Sequence, residues 1–79
     1  MPLTPYPSGD ILSVMRTFGR RLIRLRTQQG LRQLDLARRA RVPQGYLSAL
    51  EAGTKSNPGM HVLKKLAKAL DVSVAALVE

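Results

Sequence analysis

Seventy-nine residues with thirteen Lys and Arg against five Asp and Glu give a formal charge of +8 on a chain long enough for one small domain. The absence of Cys excludes a disulfide framework, a thiolate zinc site and a cysteine nucleophile, and one His with five scattered carboxylates leaves little for a metal cluster or an acid–base pair. The longest uninterrupted apolar run, Val74 to Val78, is far short of the ~20 residues that span a bilayer, and Met1-Pro-Leu-Thr-Pro-Tyr-Pro lacks the regions of a secretory signal. The expectation is a soluble, cytoplasmic, single-domain binding protein with no cofactor and no membrane partner. Its ligand is expected to be an anion, nucleic acid first.

Residues 1–9 hold three of the five prolines and Gly9, the composition of a flexible, polyproline-like arm. The arm has no Lys or Arg, unlike arms that read the minor groove with arginines. The domain proper is expected over residues 10–79. Ile11, Met15, Phe18, Leu22 and Leu25 recur at spacings of three and four, the stripe of an amphipathic helix with Asp10 suited to its N-cap and Gly30 to its C′ end. A second helix is expected from about Arg32 to Ala40, burying Leu36, Ala37 and Ala40. Val42-Pro43 interrupts it, and Pro suits the first turn of the next helix. That helix runs to about Ala52 with Leu47 and Leu50 inward, and Gly53 stops it. After a turn-rich loop over residues 54–59, a fourth helix buries Met60, Leu63, Leu66, Ala67 and Leu70. Ser73 caps a last short one carrying Val74, Leu77 and Val78. No strand alternation is present. The pattern is all-α, a compact bundle of five helices.

Two short helices joined by about three residues, the second opening with Pro43-Gln44, have the spacing of a helix-turn-helix. Around that core the segments Leu31-Arg-Gln-Leu-Asp-Leu-Ala, Val42-Pro-Gln-Gly-Tyr-Leu-Ser-Ala-Leu-Glu-Ala-Gly, Asn57-Pro and Leu66-Ala-Lys-Ala-Leu-Asp-Val agree in order and spacing. Over roughly residues 18–79 the chain resembles the phage repressor/Cro (Xre-type) helix-turn-helix family. The resemblance implies a lambda repressor-like fold and a sequence-specific DNA-binding transcriptional regulator. It further implies a repressor-like homodimer that inserts helix 44–51 into the major groove of double-stranded DNA. It gives Gln33 the role of touching a phosphate and bracing the first recognition-helix side chain, and Gln44 that of reading a base. A Gln amide can bond adenine N6 and N7 together; the plain alternative is an exposed helix-start residue. The resemblance also pairs Arg26 with Glu51 in a partly buried ion pair tying helix one to the recognition helix.

The exposed face of that helix follows from its period. With Leu47 and Leu50 inward, the opposite face carries Gly45, Ser48, Ala49 and Ala52, small and uncharged. Base contacts are therefore expected from Gln44, Gly45, Ser48 and Ala49, with Ala49 suited to a thymine methyl. High helix propensity alone is the competing account of the small residues. Tyr46 either packs at the helix flank or reaches a phosphate with its hydroxyl. Phosphate contacts are assigned to Gln33, Tyr46, Thr54, Lys55, Ser56 and Asn57, with Arg38, Arg39 and Arg41 near enough to add to them. Arg16, Arg20 and Arg24 on helix one, and His61, Lys64, Lys65 and Lys68 on helix four, read as solvated faces.

The chain departs from the family pattern at three places. Arg41 stands where the turn usually has Gly and its positive φ, Arg32 where Ser or Thr caps helix two, and Gly59 where Ser or Thr often caps helix four. Ile11, Leu12, Val14 and Met15 extend helix one upstream of the family's usual start. Residues 11–15 and 74–78 are the two candidate dimer surfaces. A reading of another class stays open: an antitoxin-like module whose main contact is a cognate protein, with DNA binding secondary. An enzyme is not expected, since no nucleophile–base pair can be assembled around His61.

Overall fold

A computed structural model describes residues 11–55 and 58–78, with side chains from Thr17 onward in the first helix. The proposed arm, the Asp10 cap, Ser56, Asn57 and the apolar side chains of residues 11–15 lie outside the described residues. Five helices follow one another: α1 Ile11–Gln28, α2 Gln33–Ala40, α3 Gln44–Ala52, α4 Met60–Leu70 and α5 Val74–Val78. There is no strand among the described residues. Every helix gives at least one leucine to a shared core. Leu22, Leu36, Leu47, Leu50, Leu66, Leu70 and Leu77 are all but inaccessible, with Ala37, Ala40 and Ala67 filling between them. Each such leucine contributes roughly 1.5–3 kcal/mol of burial. α1 packs on α3 and α5, α2 on α3 and α4, and α4 on α5.

The helix ends are built to one plan. After α1, the Leu31 amide donates to the Arg26 carbonyl at 3.1 Å and that of Gly30 to Thr27 at 3.0 Å, with Gly30 at φ 71°. This is a Schellman turn, and it recurs after α2, α3 and α4. Gly53 serves α3 at φ 79°. Arg41 (φ 58°) and Asp71 (φ 57°) serve the other two, in a left-handed conformation that costs an L-residue roughly 1–2 kcal/mol. The helix-turn-helix turn is therefore not distorted by Arg41; it keeps the glycine geometry with a side chain present. Arg41→Gly is expected to raise stability by about 0.5–1 kcal/mol, the relief of strain less the added freedom of the unfolded chain. Asp71→Gly should gain less, because Asp tolerates this region better. Urea midpoints compare the two; no gain at Arg41 would mean that its side chain makes up the strain.

Three expectations shift. Pro43, extended at φ −62° and ψ 141°, is the N-cap of α3 and not a residue of its first turn. Arg32 caps α2 without a side-chain acceptor, and Asp35 supplies what is missing. Its carboxylate accepts from the Arg32 backbone amide at 2.9 Å and from the guanidinium at 3.1 and 3.2 Å. These bonds hold Asp35 at about 2, below the ordinary carboxylate value. Met60, expected inside, is 57% exposed. It lies on the apolar face of α4, but as the first helical residue it extends beyond the core, and even Leu63 one turn on is only half-buried.

Gly19 lets α1 and α3 approach. Its Cα faces the last turn of α3, where an added Cβ would meet the carbonyl oxygen of Leu50 at 2.7 Å and that of Glu51 closer still. Near the far end of α1, Gln29 donates from Nε2 to the Leu70 carbonyl at 2.6 Å, satisfying an end of α4 and tying it to α1.

Candidate nucleic-acid interface

The arrangement begins with a buried carboxylate. Glu51, in the last turn of α3, has a side chain only 4% exposed against 14% for Arg26 on α1. Arg26 donates from Nε to Glu51 Oε2 at 2.7 Å and from Nη2 to Oε1 at 3.1 Å, a two-pronged pair. Its remaining nitrogen, Nη1, donates to the Leu31 carbonyl at 2.9 Å. The ion pair expected between helix one and the recognition helix is present, and it also fastens the chain entering α2. Among the described residues no buried side-chain nitrogen or oxygen lacks a partner.

Gln33, first residue of α2, donates from Nε2 to Glu51 Oε1 at 3.0 Å. Its own Oε1 accepts from Gln44 Nε2 at 3.4 Å. The brace between Gln33 and Gln44 thus exists, and it is anchored to the ion pair, a connection the sequence reading did not contain. Four side chains from three helices form one line that starts in the protein and ends at exposed Gln44.

Beyond Gln44, Gly45 and Ser48 are exposed on the outer face of α3 with Ala52, while Ala49 is half-buried and offers only part of its methyl. Nothing lies within 4 Å of where a Gly45 Cβ would stand, so the start of the helix is bare backbone. Next to it in the first turn, Tyr46 packs against the core, and Lys55, from beyond the far end of α3, places Nζ 5.2 Å from its ring centroid. This favours the packing account of Tyr46 and holds a cation beside α3. Thr54 donates its hydroxyl to the Ala49 carbonyl at 3.3 Å, and the Thr54 and Lys55 amides share that acceptor. Arg20, Arg24, Arg38, Arg39 and Arg41 are exposed, as are His61, Lys64 and Lys68 on α4, where Lys65 is half-buried. Among the described residues no group of acidic, His or Cys side chains could hold a metal ion.

Comparison with known proteins agrees with this geometry. A family model described as Helix-turn-helix matches residues 22–77. The HTH-type transcriptional regulator SinR of Bacillus subtilis is 36% identical over 61 residues, 77% of this chain and 55% of SinR. The HTH-type transcriptional regulator DdrOP3 of Deinococcus deserti is 41% identical over 59 residues, 75% of this chain and 45% of DdrOP3. The chain therefore spans about half the length of these relatives. Among solved structures, the restriction-modification controller protein C.AhdI from Aeromonas hydrophila superposes with a TM-score of 0.80 at 35% identity, over 86% of this chain and 97% of C.AhdI. SinR in complex with DNA gives 0.76 at 35% identity, over 78% and 98%. With the five-helix order, the Schellman-closed turn and the Arg26–Glu51 pair already in place, the chain belongs to the Xre-type helix-turn-helix family.

Proposed function

We propose that the chain is a sequence-specific DNA-binding transcriptional regulator, cytoplasmic and non-enzymatic, that acts as a repressor-like homodimer with α3 in the major groove. The observation that carries this reading is the start of α3: a bare, uncharged helix face headed by a glutamine whose amide is held in place by Gln33. A held amide has less freedom to lose when it meets a base edge, and small neighbours let the backbone approach. Gln44, Gly45, Ser48 and the partly exposed Ala49 are the proposed base contacts. Gln33, Thr54 and Lys55, with Ser56 and Asn57 of the same loop, are the proposed phosphate contacts, and Tyr46 supports Lys55 from below. That a solved structure of SinR is a complex with DNA supports DNA as the ligand.

Selection from a random duplex pool at fixed salt tests the whole reading. The expected product is an inverted repeat with half-sites about one helical turn apart, as two-fold docking requires. Recovery of no common sequence, or of single unrepeated half-sites only, would contradict it. Salt supplies a second measure. Lys55, set over Tyr46, is the proposed cation on the backbone beside α3. Lys55→Gln is expected to weaken all sequences alike and to flatten the log–log salt slope by about 0.9 per protomer, about 1.8 for the dimer. A slope equal to that of the parent protein would remove Lys55 from the interface.

One observation favours a protein partner in addition. Val78 is 54% exposed at the end of α5 and Met60 57% at the start of α4, and SinR has been solved in complex with SinI. Under the antitoxin-like reading, a stoichiometric protein co-purifies and Val78→Asp releases it. Under the homodimer reading, the same substitution yields monomers in sedimentation.

A further inference from the structure

The bond that joins the Arg26–Glu51 pair to the Gln33–Gln44 pair has a direction. A guanidinium only donates and an ionised carboxylate only accepts, whereas a carboxamide does one at each end. Arg26 donates twice to Glu51. Glu51 can offer Gln33 nothing but an acceptor, so Gln33 must turn its NH2 end inward, where Nε2 lies 3.0 Å from Glu51 Oε1. Its Oε1 is thereby left for Gln44, whose Nε2 donates to it at 3.4 Å. The carboxylate is 4% exposed, so bulk water is in no position to take Gln33's place. Flipping the Gln33 amide would exchange a charge-assisted hydrogen bond for two opposed acceptors, a bias of at least about tenfold.

We infer that the buried ion pair sets the sense of the Gln44 amide, so that Glu51, acting through Gln33, is a positioning residue for base choice as well as a brace of the fold. With one N–H committed inward, Gln44 keeps a donor and a carbonyl acceptor in a fixed order. Adenine presents N7 as an acceptor beside N6 as a donor, also in fixed order along the major-groove edge. An amide of fixed sense matches that order in one strand orientation. An amide free to flip accepts the reversed order too, and discrimination falls. The inference rests on the reading of α3 as the helix that meets the bases.

The test compares sequences selected from a random duplex pool by the parent protein, Glu51→Gln, the double variant Arg26→Met with Glu51→Gln, and Gln33→Met. A glutamine at 51 can present either end to Gln33. The double variant leaves no unpaired guanidinium should Glu51→Gln alone fail to fold, and Gln33→Met breaks the line while keeping the ion pair. The parent is expected to prefer adenine roughly tenfold to a hundredfold at one position of each half-site. In each folded variant, as judged by circular dichroism, that preference should fall to about threefold or less while the other positions keep theirs. An unchanged preference at that position overturns the inference. So does a weakening shared equally by all positions, which is what a loosened fold alone produces. A parent protein that selects no sequence overturns instead the DNA-reading role on which the inference rests.

Discussion

Gly19→Ala is expected to destabilise the domain by about 2–3 kcal/mol, although helix propensity predicts the opposite sign. In the interior of an exposed helix, alanine is worth roughly 1 kcal/mol more than glycine. Here the new methyl would meet two backbone carbonyl oxygens, of Leu50 and Glu51, in the last turn of α3. Neither can rotate away as a side-chain tip would. Relief requires α1 and α3 to move apart, which loosens the packing around Leu22, Leu47 and Leu50, and forced overpacking of this kind costs about 1–3 kcal/mol or more. For a domain this small, 2–3 kcal/mol corresponds to a fall in Tm of roughly 10–20 °C. Gly45→Ala is the matched comparison, being a helical glycine with nothing within 4 Å of its added Cβ. It is expected to raise Tm by a few degrees and, if α3 enters the major groove, to weaken DNA binding, since its methyl would occupy the bare face. Thermal melts of both variants decide the matter. A Gly19→Ala protein as stable as its parent would show that the two helices can separate without cost.

The contrast between these glycines explains what was readable in the sequence. Periodicity located the helices because burial selects one face: Leu22, Leu36, Leu47, Leu50, Leu66 and Leu70 were all placed inward, and all are fully buried. The ends were readable where Gly30 and Gly53 supply positive φ, and Arg41 was readable through the resemblance, because the turn's geometry belongs to the fold and not to the residue. Asp71 gave no such sign. Neither did Gly19, although an isolated glycine four residues after Met15 and three before Leu22 lies on the apolar stripe, and that position is the signal for close helix contact. Met60 failed for a different reason. Its face was right, but a helical pattern does not say where the core ends. In the candidate site, the Arg26–Glu51 and Gln33–Gln44 pairs were legible through the resemblance. The hydrogen bond joining Gln33 to Glu51 spans elements whose relative placement only the folded structure fixes. The bond from the Arg32 amide to Asp35 is local, at a spacing of three, but it is the reciprocal half of a capping box whose Ser or Thr half is absent, so the usual sequence signature is incomplete.

Glu51→Ala should have the largest effect of any single polar substitution, a loss of about 3–5 kcal/mol. The parent stability of a 79-residue domain is on the order of 4–12 kcal/mol, so the variant is expected to lose between about a quarter and all of it. The size of the effect comes from what remains behind. Removing the carboxylate leaves the Arg26 guanidinium, 14% exposed, with the Leu31 carbonyl as its surviving acceptor, and it also strips Gln33 of its inward acceptor. Burying an uncompensated cation is far costlier than burying none. The double variant Arg26→Met with Glu51→Leu removes both charges and fills much of their volume, and it should recover most of the stability that Glu51→Ala loses. Chemical denaturation of Arg26→Met, Glu51→Leu and their double variant forms a cycle with the parent, and a coupling energy of about 2 kcal/mol or more is expected between residues in such direct contact. Simple additivity, with the double variant as unstable as the sum of the singles, would mean that the pair is held by the surrounding fold and does not itself hold α1 to α3. Recovered stability without recovered base preference would separate the pair's two duties, since a hydrophobic pair can fasten the helices but cannot give Gln33, and through it Gln44, a direction in which to face.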